Sequence, residues 1–72
     1  MLVEVKAHIT GTVWKITVGV GDEVAEDQAV VILESMKMEM PVEASDAGRV
    51  AEIVAQEGQA VEEGDLLLTL EV

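Results

Sequence analysis

Cysteine, tyrosine and phenylalanine are absent from this chain, and tryptophan, histidine and proline occur once each. Without cysteine there is no disulfide staple, no zinc finger and no thiol chemistry, and the fold is indifferent to its redox compartment. Trp14 is the sole aromatic side chain, so a core must be assembled from Val, Ala, Ile, Leu and Met. An aliphatic supply rich in β-branched residues favours strands. His8 has no partner constellation, and no carboxylate pair has one either; the expected class is a non-enzyme. Basic residues are few: Lys6, Lys15, Lys37 and Arg49 stand against 15 acids, for a formal charge of -11. A field of that sign repels phosphate backbones and anionic membrane surfaces, so neither nucleic acid nor membrane is an expected partner. Asp22-Glu23 and Glu62-Glu63 are too sparse for a calcium loop. No uncharged apolar run approaches the ~20 residues of a membrane span. Glu4 and Lys6 interrupt any apolar leader, and the expected location is the cytoplasm.

What the chain does contain is a copy of itself. At an offset of 37 positions Gly11 meets Gly48, Val13 meets Val50, Ile16 meets Ile53, and Gly21 meets Gly58. The same offset pairs Val24 with Val61, Glu26 with Glu63, Leu33 with Leu70, and Glu34 with Glu71. The repeat therefore spans residues 11–35 and 48–72, within one domain covering 1–72. Two units cannot form a capped solenoid, so they are expected to close on each other about a pseudo-twofold axis.

Each copy reads as short strands between turns. Residues 13–18 match 50–55, with apolar positions spaced three and then two apart, which predicts a bulge at the same place in each. Gly21-Asp22 and Gly58-Gln59 follow as turns where positive φ is easy. Asp27 stands opposite Gly64, and Asp is among the few residues that tolerate a left-handed position. The apolar runs 29–33 and 66–70 read as buried strands. Residues 38–44 alternate apolar with charged, and Pro41 places that strand at a sheet edge or keeps its own position outward. The expected architecture is all-β, about eight short strands in two sheets.

Lys37 falls at the join of the two copies, at the expected tip of a hairpin, within Glu34-Ser35-Met36-Lys37-Met38-Glu39-Met40. Met at alternating positions reads in isolation as one face of a buried strand. Met36 and Met38 cannot both be deep in a core if they flank a tip, although Met40 can point inward. A lone amine between two flexible thioethers is an apolar platform from which an enzyme can pick one lysine.

These residues resemble the biotinyl/lipoyl attachment domain over residues 5–72. The match lies in Ser35-Met36-Lys37-Met38, with Gly11-Thr12-Val13 and Gly21-Asp22-Glu23-Val24 before it and Gly48-Arg49-Val50, Glu57-Gly58-Gln59-Ala60-Val61 and Glu63-Gly64-Asp65-Leu66-Leu67 after it. Ala7-His8-Ile9-Thr10, Asp27 and Ser35 depart from the commonest members. The resemblance implies a flattened barrel-sandwich of two roughly four-stranded sheets with quasi-twofold symmetry and the modified lysine on a β-hairpin tip. Lipoyl members typically carry Asp-Lys-Ala at this turn, so the flanking methionines favour biotin.

By that resemblance a biotin protein ligase attaches biotin covalently to Lys37 through an amide. Met36, Met38, Glu34, Ser35 and Glu39 are expected to serve its recognition, the two glutamates also solvating the turn. Exposed lysine amines are protonated at neutral pH, so deprotonation falls to the ligase. The chain is then a monomeric, non-catalytic carrier whose swinging arm moves carboxylate between biotin carboxylase and carboxyltransferase sites. It looks like a small free-standing attachment protein or the carrier domain of a larger carboxylase. The alternatives are a lipoyl carrier of a 2-oxoacid dehydrogenase or glycine-cleavage system and an unmodified structural barrel.

Overall fold

A computed structural model describes the whole chain, Met1–Val72. It contains eight strands and no helix: β1 Leu2–Lys6, β2 Gly11–Ile16, β3 Glu23–Val24, β4 Ala29–Ser35, β5 Met38–Glu43, β6 Gly48–Ile53, β7 Ala60–Val61 and β8 Leu66–Glu71. One antiparallel sheet has the order β1-β8-β6-β3 and the other β5-β4-β2-β7. The offset of 37 residues carries the first four strands onto the last four, to within a residue at their ends: β1 to β4 correspond to β5 to β8, and each sheet takes strands from both copies. The correspondence reaches β1 and β5, where buried Val5 matches buried Val42, and the residue just past each strand, where buried Ala7 matches buried Ala44.

The β2 register shifts between Val13 and Lys15 against β4, and the β6 register shifts between Val50 and Glu52 against β8. The extra residues are Trp14 and Ala51, an equivalent pair, so the three-then-two apolar spacing is a bulge in both copies. The strands begin at Gly11 and Gly48, two residues before the expected starts, and end at Ile16 and Ile53. Val18 still packs against the core and Ala55 is buried in it, but beyond the bulges neither belongs to a strand.

The turns also come in equivalent pairs. The Gly19 N–H donates to Asp22 Oδ2 at 2.8 Å, and the Gln56 N–H donates to Gln59 Oε1 at 3.0 Å. Likewise the Ala25 N–H donates to Gln28 Oε1 at 3.0 Å and the Glu62 N–H to Asp65 Oδ2 at 2.8 Å. Asp and Gln exchange places between the copies because either side chain carries the accepting oxygen a turn needs. Left-handed backbone occurs at Gly21, Gly58, Gly64 and, opposite Gly64, at Asp27 with φ 69°.

The largest fully buried side chains are Val13, Val30, Val31 and Leu33 with their equivalents Val50, Leu67, Leu68 and Leu70. Four pairs of aliphatic side chains related by the repeat thus make up the most deeply buried part of a 15-residue core, and burying each is worth about 1.5–3 kcal/mol before chain entropy is counted. No buried side-chain polar atom lacks a partner. Pro41 lies in β5, which pairs only with β4 and forms a sheet edge, so its missing N–H faces no ladder.

Candidate functional site

Strands β4 and β5 form a hairpin whose last ladder pair is Ser35 with Met38. Two residues, Met36 and Lys37, make the connection, and both have positive φ, 53° and 67°. Positive φ at both central positions is the requirement of a type I′ turn, whose twist matches that of the flanking strands. Asn-Gly is the usual sequence there; Met-Lys accepts left-handed backbone at a cost of about 1 kcal/mol or more per residue. Strain of this kind collects at functional positions, where the surrounding structure enforces it. The sequence carries no sign of it, because neither Met nor Lys favours such a turn. The only hint is the short stretch, residues 34–37, between the apolar run 29–33 and the alternating segment 38–44.

The turn raises Lys37 clear of the body. Met36 is 92% exposed and Met38 62%, while Met40 is half-buried on the inner face of β5. Lys37 takes part in no salt bridge and no side-chain hydrogen bond, whereas Lys6 pairs with Glu4 and Arg49 with Glu23. Glu34 and Glu39 are exposed and face each other directly across the ladder. Ser35 is half-buried and leans toward the start of β2. The structure therefore brings all six sequence-derived site residues onto one hairpin, in three cross-strand layers ending at the amine.

The other end of the molecule has no counterpart to this tip. β2 runs away from the lysine hairpin, and its continuation reaches β6, where the Gly21 N–H donates to the Val50 carbonyl at 2.8 Å. Near that end Met1 and Val72 occupy the places equivalent to Met38 and Ser35, joined by hydrogen bonds of 3.1 and 2.9 Å. His8 lies in an open cleft between β1 and β5 with Lys6, Asp27 and Glu43, away from Lys37. No group of His, Cys, Asp and Glu is arranged to hold a metal ion. A primary amine with no competing partner suits a cofactor that ends in a carboxylic acid: once a partner enzyme has activated that carboxyl, the neutral amine would displace the leaving group and form an amide.

Comparison with known proteins agrees with this arrangement. A biotin/lipoyl family model described as "Biotin-requiring enzyme" matches residues 1–70. The biotin/lipoyl attachment protein of Bacillus subtilis is 47% identical over 66 residues, 92% of this chain and 90% of that protein. The biotin carboxyl carrier protein of Streptococcus mutans is 47% identical over 64 residues, 89% of this chain but only 49% of its own length. The crystal structure of the Kluyveromyces lactis urea carboxylase superposes with a TM-score of 0.93 at 37% identity, covering 99% of this chain and 6% of that one. The chain is thus nearly coextensive with one relative, half of another and a small part of a large carboxylase.

Proposed function

This chain belongs to the biotin/lipoyl family of biotin-requiring proteins, as a non-catalytic biotin carrier, and we propose that Lys37 is the residue that carries the cofactor. The observation that supports the choice of Lys37 is its position: it alone among the four basic residues stands at a two-residue strand connection, unpaired, between two exposed methionines. The lipoyl reading is not favoured, since the matched relatives include a biotin carboxyl carrier protein and the alpha chain of a carboxylase.

Biotin held on Lys37 would supply the group that is carboxylated in one active site and gives up the carboxylate in another. The chain's own part is mechanical. Lys37 Nζ forms the amide and its four methylenes lengthen the arm. The stiff β4–β5 hairpin holds the arm's root away from the body, so that the same end of the molecule can enter different sites. Tethering replaces free diffusion of the group by a high effective concentration at each site. Met36 and Met38 offer apolar, adaptable contact around the amine, and Glu34, Ser35 and Glu39 give the ligase a polar rim to read.

The proposed partners are a biotin protein ligase and the biotin carboxylase and carboxyltransferase sites of a biotin-dependent carboxylase. The chain meets them as a monomer in the cytoplasm. Incubation with a purified biotin protein ligase, ATP and biotin tests the assignment by intact mass. One biotin adduct is expected on the native chain and none on Lys37→Arg, whose guanidinium is not an acyl acceptor. An adduct on Lys37→Arg would move the site to another lysine, and a lipoyl-sized adduct from cells would replace the cofactor.

A further inference from the structure

We propose that Gly11, on the neighbouring strand, is a positioning residue for Lys37; this rests on the reading that Lys37 is the biotin acceptor. A Cβ placed on Gly11 would lie 2.6 Å from the Glu34 carbonyl oxygen, 3.4 Å from the Glu34 carbonyl carbon and 3.3 Å from Ser35 Cβ. The first distance is one that real Cβ atoms do not show, and the obstructing atom is backbone, which cannot swing aside as a side-chain end can. The φ of Gly11 is not positive, so what this glycine supplies is space.

That space is where the last turn of the lysine hairpin is seated. Thr12 pairs with Glu34 on one side of β2, and Gly11 pairs with Val61 on the other. β2 is thereby held between β7 and β4 at its first residues and cannot retreat freely from an added methyl group. Displacement passes to Glu34 and Ser35, and Ser35 is the residue before the turn. The turn has no slack with which to absorb a push, because Met36 and Lys37 already occupy left-handed backbone in a two-residue connection. A shift at Glu34 therefore becomes a tilt of the tip and a displacement of the amine.

The internal symmetry provides the control. Gly48 is the equivalent of Gly11, and a Cβ there would lie 2.6 Å from the Glu71 carbonyl oxygen and 2.8 Å from Val72 Cγ1. The crowding is the same in kind, but what it would displace is the end of β8, remote from Lys37. If the glycines serve the fold alone, Gly11→Ala and Gly48→Ala should behave alike in every measurement.

Both alanine variants and the native chain are assayed with purified biotin protein ligase at a temperature where circular dichroism shows each to be folded, alongside thermal unfolding. Similar falls in Tm are expected for the two. Ligase kcat/KM is expected to fall at least tenfold for Gly11→Ala and less than twofold for Gly48→Ala. Reaction of Lys37 with a small N-hydroxysuccinimide ester of biotin, which needs no particular geometry, should be unchanged in both. Equal ligase kinetics for the two variants would overturn the proposal, as would parallel losses toward ligase and ester. If crowding unfolds either chain, the glycine is a requirement of folding and the proposal also fails. Failure of the underlying reading looks different: the native chain would then take no biotin from the ligase at Lys37.

Discussion

Glu34 and Glu39 face each other across the β4–β5 ladder, one layer below the Ser35–Met38 pair that closes the lysine turn. Neither forms a salt bridge. Like charges directly opposite on antiparallel strands destabilise the pair. At the equivalent place in the other copy Glu71 faces Leu2, and its carboxylate lies 3.3 Å from the N-terminal amine. The repulsion is therefore a property of the lysine end, where the fold is less relaxed than its own copy.

Glu39→Gln removes that repulsion and is expected to stabilise the chain by about 0.2–1 kcal/mol at low ionic strength. The gain should shrink in 0.5 M NaCl, where the screening length is shorter than the Debye length of ~10 Å at 0.1 M. Urea denaturation at the two salt concentrations checks this, and an unchanged midpoint at low salt would exclude net repulsion.

Relaxing the turn itself should have a larger effect. Met36→Asn with Lys37→Gly places the preferred type I′ sequence at two positions that now hold Met and Lys at φ 53° and 67°. The double variant is expected to gain about 1–2 kcal/mol, which in a domain of this size is a rise of roughly 4–16 °C in Tm. It should take no biotin. A lower Tm would show that the turn is not strained.

Met36→Gln with Met38→Leu tests the platform around the amine, the unbranched Gln adding no β-branch at the left-handed position 36. Both methionines are largely exposed, so thermal unfolding should move by little, as surface changes usually stay within about 0.5 kcal/mol. Initial rates of biotinylation are expected to fall. Labelling at the native rate would remove the methionines from ligase recognition.

The core allows a symmetric test. Leu33 and Leu70 are equivalent and fully buried. Truncation of either to alanine is expected to cost about 2–5 kcal/mol. That is a large share of the 5–15 kcal/mol that typically separates folded from unfolded chains. The two losses should agree within about 1 kcal/mol, as measured by urea denaturation. Widely different losses would mean that the two halves of the core are packed unequally.

Much of this architecture was legible in the residues because the chain states it twice. The bulges at Trp14 and Ala51 follow from apolar positions at 13, 16 and 18 and their equivalents, a spacing that strict alternation cannot produce. Asp27 was readable as left-handed because Gly64 holds the same place in the other copy. The correspondence of β1 with β5 was harder to see. It rests on Val5–Val42 and Ala7–Ala44 alone, and the edge strands differ elsewhere because Pro41 and Glu43 answer to solvent and not to the core.

Composition and repeat by themselves determined an all-β aliphatic fold with its lone candidate lysine at the join of two copies, since side-chain period, turn chemistry and internal identity are local properties of a sequence. Tertiary structure decided what that lysine meets. The left-handed backbone at Met36 and Lys37, the opposition of Glu34 to Glu39 and the seat that Gly11 leaves for the Glu34 carbonyl all depend on which strands lie side by side and in what register. Register is fixed by packing of the whole core, because a slip of one residue would turn every buried side chain to the surface.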